Sequence, residues 1–217
     1  GEITYKENTF IKFNPSSTLI SNLSKRAKKL KELIPDNFKQ TKNFISYDWV
    51  PGKTIYNYNS YNVYVKFLDF FENILEKSKT KGIKSISVDE FYKKKTLKRK
   101  DKYIDKYGER YYNNMFKING INYDSMRDIL NAVDYDSLYS NTTYNNFHGD
   151  LQFDNIIFNE DKDTFTYIDW RESFAGNTDE GDIYYDLSKL YGGLLMPYNL
   201  MKKEDLLQYE EGESLIN

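Results

Sequence analysis

The sequence predicts an α+β chain in two lobes: a small amino-terminal sheet with one helix, then a larger, mainly helical part. Three observations lead there. Short strand-like runs bounded by turn residues occupy positions 3–13 and 44–50, on either side of one helical stretch. Apolar residues then recur at helical spacing over 61–79 and 182–194. Ahead of that last helix, two short strand-like runs, 155–158 and 164–168, flank a turn at 159–163.

Taken in order, residues 3–5 and 9–13 read as strands around a turn at Lys6, Glu7 and Asn8. Asn14-Pro15-Ser16-Ser17 breaks the second strand and offers a helix N-cap. A helix follows over 18–34 and stops at Pro35; Leu19, Leu23, Ala27, Leu30 and Ile34 form its apolar stripe, and the basic remainder reads as a solvated face. Residues 44–50 form a strand that runs into the turn Pro51-Gly52, where the first lobe (1–50) gives way to the second (51–217). In the helix over 61–79 the apolar positions are Val63, Val65, Phe67, Leu68, Phe71, Ile74 and Leu75, and Lys81-Gly82 closes it. A linker over 83–90 ends in the acidic helix start Asp89-Glu90. Basic, Tyr-rich residues 91–114 and then 123–133 read as helices, Pro197 ends the helix over 182–194, and 203–217 is an acidic, weakly patterned tail.

Composition removes several classes of function. Thirty-one basic residues face 33 acidic ones, so no global field favours nucleic acid or an anionic membrane, and neither is expected as a partner. The basic run at 93–100 reads as a solvated face, with phosphate or nucleic-acid contact as the lesser alternative. With no cysteine, disulfides, thiolate metal sites and cysteine nucleophiles are excluded. The one histidine, His148, cannot build a His-rich zinc site, and no G-x-S-x-G elbow supplies a serine nucleophile. The 21 Tyr and 14 Phe imply an aromatic core whose hydroxyls need partners or water. No run has signal-peptide or membrane-spanning length, so a soluble cytoplasmic protein is expected; the sequence does not read out an oligomeric state.

The chemistry gathers in residues 147–187. His148-Gly149-Asp150 is followed by Asn155, and Asp169 closes an apolar run. An Asp, an Asn five residues on, and a second Asp beyond a hairpin have the layout of the protein-kinase-like phosphotransferases. In that layout Asp150 accepts or orients the proton of the attacking hydroxyl, and Asn155 and Asp169 offer hard oxygens to Mg²⁺.

The blocks His148-Gly149-Asp150-Leu151-Gln152-Phe153-Asp154-Asn155, Ile168-Asp169-Trp170 and Gly181-Asp182-Ile183-Tyr184-Tyr185-Asp186-Leu187 resemble the aminoglycoside phosphotransferase and choline kinase-like family. That family reads H-G-D-L-x-x-x-N, I-D-W or I-D-F, and G-D-x-x-x-D-L. The resemblance implies a protein-kinase-like two-lobe fold with a reduced N-terminal β lobe. It also implies transfer of the γ-phosphate of ATP (or GTP), with Mg²⁺, to a hydroxyl of a small molecule such as a sugar, amino sugar, aminoglycoside or choline-like alcohol. It makes Asp150 the catalytic aspartate, His148 a residue that orients its loop, and Asn155 and Asp169 the metal ligands. Asp182 and Asp186 would brace that loop, or cap the following helix. Lys12 stands where the family places a lysine for the α/β-phosphates, or is an exposed strand lysine. The backbone of Asp48, Trp49 and Val50 would meet the adenine edge, or forms an ordinary strand and turn.

The chain departs from the family in several places. Arg26 takes the position of the helix glutamate that normally pairs with the lysine; it is expected at the edge of the apolar stripe, holding a phosphate unless the nucleotide binds differently, while Glu32 faces solvent. Gly149 differs from the Asn common in the choline kinase branch. No D-F-G or A-P-E block marks a protein kinase. Asp179 and Glu180 could attract a cationic acceptor, or form a solvated loop. Strands expected before Ile3 and helices expected after Asn217 make the sequence read as part of a longer protein. These departures keep a second function in view, a non-catalytic kinase-like module that binds nucleotide or a partner.

Overall fold

The alternating run at the amino terminus pairs as expected: β1 (Ile3–Lys6) lies antiparallel to β2 (Thr9–Phe13), with Ile3 opposite Lys12. The structure, a computed structural model, describes residues 3–6, 8–81, 88–138 and 142–196. Glu7 of the predicted turn, Gly82, most of the predicted linker, Pro197 and the acidic tail lie outside the described residues. Tertiary contacts divide the chain into two units, residues 1–86 with 140–199 and residues 87–139 with 200–217. The boundary expected at 50/51 falls inside the first.

In the first unit, α1 (Ser17–Leu30) starts where the sequence places a cap, with Ser16 Oγ accepting the Leu19 N–H at 3.2 Å. It buries Ile20, Leu23, Ala27 and Leu30. It ends four residues before the predicted Ile34. The Leu33 N–H folds back onto the Leu30 carbonyl at 2.6 Å, and the Leu33 carbonyl accepts the Tyr167 N–H at 2.6 Å. The tight turn that brings the Leu33 carbonyl to Tyr167 ends the helix early. β3 (Lys39–Gln40) and β4 (Phe44–Asp48) complete a four-stranded sheet in the order β1-β2-β4-β3, with Phe13 opposite Phe44.

β5 (Lys53–Thr54) leads into a single turn, α2 (Ile55–Tyr58), and then α3 (Tyr61–Ser78). α3 buries Val63, Phe67, Phe71 and Ile74 but exposes Val65 and Leu68, so its stripe is narrower than predicted. β6 (Lys79–Lys81) follows it.

The second unit holds α4 (Val88–Tyr107), α5 (Glu109–Asn113), the hairpin β7 (Phe116–Ile118) and β8 (Ile121–Tyr123), and α6 (Met126–Asn131). The basic helix predicted over 91–114 is thus two helices, broken at Gly108. The predicted helix start at Tyr123 is instead the end of a strand. Asn119 and Gly120, at φ 50° and 80°, supply the two left-handed residues a tight hairpin turn demands, and Phe116 stacks on Tyr123 across it.

Back in the first unit, β9 (Thr142–Tyr144) is followed by the hairpin β10 (Ile156–Asn159) and β11 (Thr164–Tyr167), by β12 (Gly181–Asp182) and by α7 (Ile183–Leu195). β10 pairs with β11 on one side and β5 on the other; β9 pairs with β6 and β12. The core is aromatic, as the composition requires. Phe67 is fully buried, with the rings of Phe70, Phe71, Phe153 and Phe165 around it at 5.4–6.2 Å. No described helix is long and apolar enough to cross a membrane.

Because Phe67 ties α3 both to the hairpin and to the loop bearing Phe153, Phe67→Ala is expected to lower unfolding free energy by about 3–5 kcal/mol. Urea titration followed by tyrosine fluorescence measures this; a loss below about 1 kcal/mol would mean the ring is not a core member.

Candidate active site

Residues 147–155 run between β9 and β10 with only a 3₁₀ turn (Phe153–Asn155) as regular structure. Partners from four directions fix their backbone. Asp186, on the first turns of α7 and 1% exposed, accepts the His148 N–H at 2.7 Å, the Gly149 N–H at 2.9 Å and the Tyr144 hydroxyl. The Phe147 carbonyl accepts Arg26 Nη2 at 2.5 Å, and the His148 carbonyl accepts the Arg171 N–H at 2.8 Å. The Asp150 carbonyl accepts the Gln152 N–H and Asn155 Nδ2, each at 2.8 Å. Leu151 and Phe153 are buried, whereas Asp150 and Gln152 are only half-buried. Of the two carboxylates expected to brace or cap, Asp186 braces. Asp182 caps α7 by accepting the Tyr184 N–H at 2.9 Å.

His148 is fully buried, and both ring nitrogens have assigned roles. Nε2 lies 2.8 Å from the Ile168 carbonyl, which can only accept; Nδ1 faces the Asp150 N–H at 3.2 Å, which can only donate. Together these partners define the neutral tautomer protonated at Nε2. Burial also pushes the imidazole pKa down from 6.5, against the opposing pull of Asp186, the Ile168 carbonyl, Asp150 and Asp169. His148 therefore ties the loop to the residue before Asp169 and is not placed to act as a base.

Asp150 is half-buried. Oδ1 accepts Lys189 Nζ at 2.9 Å and Gln152 Nε2 at 3.0 Å. Burial alone would raise its carboxyl pKa; the hydrogen bonds from Lys189 and Gln152, with the charges of Lys189 and Arg171, outweigh burial and hold it below the usual carboxylate range.

Asn155 and Asp169 meet at the open end of the β10–β11 hairpin, where the Ile168 N–H donates to the Asn155 carbonyl at 3.0 Å. The Asn155 Nδ2 bond to Asp150 orients the amide and leaves Oδ1 as the end open to a cation. Asp169 adopts φ 54°, and its Oδ1 pairs with Lys12 Nζ at 2.8 Å. Among the described residues no three His, Asp or Glu side chains gather into a metal cage. An amide oxygen and one carboxylate suit Mg²⁺, which keeps several waters and binds through one or two carboxylates plus substrate phosphates.

Arg26 is not at the edge of its stripe but fully buried. Nη1 donates to the Asn145 carbonyl at 2.9 Å, the Thr178 carbonyl at 3.2 Å and the Asp179 carbonyl at 3.4 Å, and the guanidinium stacks 3.7 Å from the Phe147 ring centre. Burial lowers its pKa to about 10, so it stays charged near neutrality. These bonds direct it to backbone carbonyls, away from the phosphate position the sequence suggested.

Asp48, Trp49 and Val50 line a groove of about 750 Å³ together with Glu32, Lys66 and Asp163. Lys12 and Asp169 border a narrow recess with Leu23, Ile45, Tyr47 and Trp170. The Asp48 N–H donates to the Asp36 carbonyl at 3.0 Å and the Trp49 N–H to the Asn8 carbonyl at 2.7 Å, which narrows what an adenine edge could use. Glu180 is buried and accepts the Thr143 hydroxyl at 2.5 Å, while Asp179 pairs with Lys29 at 3.3 Å. Neither points to a cationic acceptor.

Three residues beside Asp150 escaped the sequence reading: Gln152, Arg171 and Lys189. Lys189 had a signal, since it lies three residues after Asp186 on one helix face. Comparison of the chain with protein-family models, with curated proteins and with solved structures gives no match.

His148 is the one histidine of the chain, and its folded pKa is depressed. Its contribution to stability is thus complete above the unfolded value of 6.5 and lost as pH falls below it, before carboxylates titrate near 4. Unfolding free energy is expected to fall with a slope of up to about 1.4 kcal/mol per pH unit between pH 6.5 and 5, and His148→Gln is expected to flatten that slope. Urea unfolding at stepped pH checks both; equal slopes in the two proteins would show that the ring is not held neutral.

Proposed function

We propose that this chain is an ATP- or GTP-dependent, Mg²⁺-dependent phosphotransferase that moves the γ-phosphate to a hydroxyl of a small molecule. The proposed plan is a protein-kinase-like two-lobe fold, with residues 1–50 as a reduced β lobe, residues 51–217 mainly helical, and a cytoplasmic location. One observation carries the reading: a single hydrogen-bonded system links Asp150, Asn155 and the residue before Asp169. Phosphoryl transfer needs positioning and charge neutralisation more than covalent chemistry, and the side chains of Asp150, Asn155 and Asp169 are the groups it needs.

The division of labour follows from the partners. Asp150 orients the acceptor hydroxyl and takes up its proton through the carboxylate that Lys189 and Gln152 hold in place. Lys12, now paired with Asp169, is the cation able to turn to the α/β-phosphates. When bound by Asn155 Oδ1 and Asp169, the Mg²⁺ would neutralise charge on the β- and γ-phosphates. His148, Asp186 and Arg26 touch no reactant in this scheme and keep Asp150 in register.

The alternative, a non-catalytic kinase-like module, draws support from the engaged N–H groups of Asp48 and Trp49. Asp150→Asn and Asp169→Asn are each expected to abolish ADP formation, at least a hundredfold, with little change in melting temperature. Measurable turnover in either purified variant would rule out the assignment. Calorimetry of nucleotide binding with and without Mg²⁺ separates the alternative, which requires no metal dependence.

A further inference from the structure

We propose that Lys189 and Arg171 form an anion-recognition subsite beside Asp150, and that the hydroxyl acceptor is itself anionic, carrying a phosphate or a carboxylate. The inference rests on the phosphotransferase reading for the identity of the reaction, but the subsite stands on its own contacts.

Lys189 projects from α7 one turn beyond Asp186, and its Nζ lies 2.9 Å from Asp150 Oδ1 with the side chain only 22% exposed. Arg171 follows Trp170, which is buried and anchored through Nε1 to the Leu23 carbonyl at 3.2 Å. The aliphatic stem of Arg171 lies across Gly149. A Cβ at position 149 would sit 2.7 Å from Arg171 Cβ and 3.2 Å from its Cγ and Cδ, and Gly149 holds φ 80°. The glycine thus makes the space in which the arginine lies. Beyond that stem, the half-buried guanidinium of Arg171 has neither a hydrogen-bond nor an ion-pair partner among the described residues. It lies close enough for its charge to bear on both Asp150 and Tyr185, as does that of Lys189.

Two cations therefore flank one carboxylate where the acceptor hydroxyl must come. Lys189 and Gln152 both bond Asp150 Oδ1, so Oδ2 is the oxygen left for the hydroxyl. An anionic group on the acceptor answers both cations. It satisfies the guanidinium fork, whose geometry matches phosphate and carboxylate, and it gives the Lys189 ammonium a second acceptor while that side chain keeps Asp150 in place. A cationic acceptor would meet repulsion from both residues, and the acidic side chains that might have attracted one, Asp179 and Glu180, are engaged elsewhere.

The test uses the full chain with Mg-ATP and four acceptors: glucose, glucose 6-phosphate, gluconate and kanamycin. ADP formation is expected to show a kcat/KM at least tenfold higher for the phosphate or carboxylate arm than for glucose, and the two anionic arms separate phosphate from carboxylate recognition. Lys189→Met and Arg171→Met are each expected to raise KM for the preferred anion at least tenfold while KM for ATP stays within twofold; Lys189→Arg should restore most of the preference. A preference for kanamycin or glucose, or variants that weaken ATP and not the acceptor, would overturn the subsite. If no arm releases ADP, none of the four is the acceptor and calorimetry decides the subsite alone. Glucose 6-phosphate or gluconate binding that both Met variants lose supports it, and no binding of either to the unaltered chain overturns it.

Discussion

A carboxylate shielded from water needs donors, and Asp186 finds them in the backbone of the very loop that carries Asp150. That exchange is the constraint on which the rest of the site depends. The His148 and Gly149 N–H groups would otherwise be buried without partners, each at about 1–3 kcal/mol; the carboxylate would otherwise be stranded at greater cost. Neither side can be satisfied unless α7 sits where its first turns face the loop. The Asp182 cap and the β9–β12 pairing put it there. The position of Asp150 is thus set by a helix that begins more than thirty residues later.

From that fixed point the remaining groups fall into two shells of different character. Inward, contacts are made by neutral or fully paired groups: the imidazole of His148 between two backbone atoms, Trp170 on the Leu23 carbonyl, Leu151 and Phe153 in the aromatic core. Outward, the groups are charged and only partly covered: Lys12 with Asp169, Lys189 with Asp150, and Arg171 beside them. Rigid support beneath exchangeable ion pairs is an arrangement suited to binding highly charged reactants, because charges can change partners while the backbone keeps its register.

Much of this was legible in the sequence wherever the information is local. The β1–β2 hairpin, the Ser16 cap, α3, the β10–β11 hairpin and the Asp182 cap all follow from spacing and turn residues. The constellation of Asp150, Asn155 and Asp169 could be read because a loop and a hairpin bring it together within twenty residues. Pairings between distant segments could not. β6, β9 and β12 have two or three residues each and depend on partners far along the chain for their existence. Lys12 finds Asp169 across 157 positions. Arg26 is a related case: periodicity puts it at the edge of the apolar stripe, and its full burial depends on acceptors that are carbonyls no residue type announces. The β7–β8 hairpin is different: Asn119-Gly120 is a local turn signal, yet residues 115–122 are given no element by the sequence reading.

Arg26 also bears on how such a site could be governed. Where a helix is held to a catalytic loop by an ion pair, the pair can be broken by a competing charge, and displacement of the helix becomes a means of control. Arg26 instead holds α1 through four main-chain oxygens, which carry no proton to lose and no side chain to modify. Swinging the helix outward would strip all four of their donor at once. Neither a change of protonation nor a side-chain modification can therefore release those acceptors, and α1 and the loop at Phe147 are tied to move together.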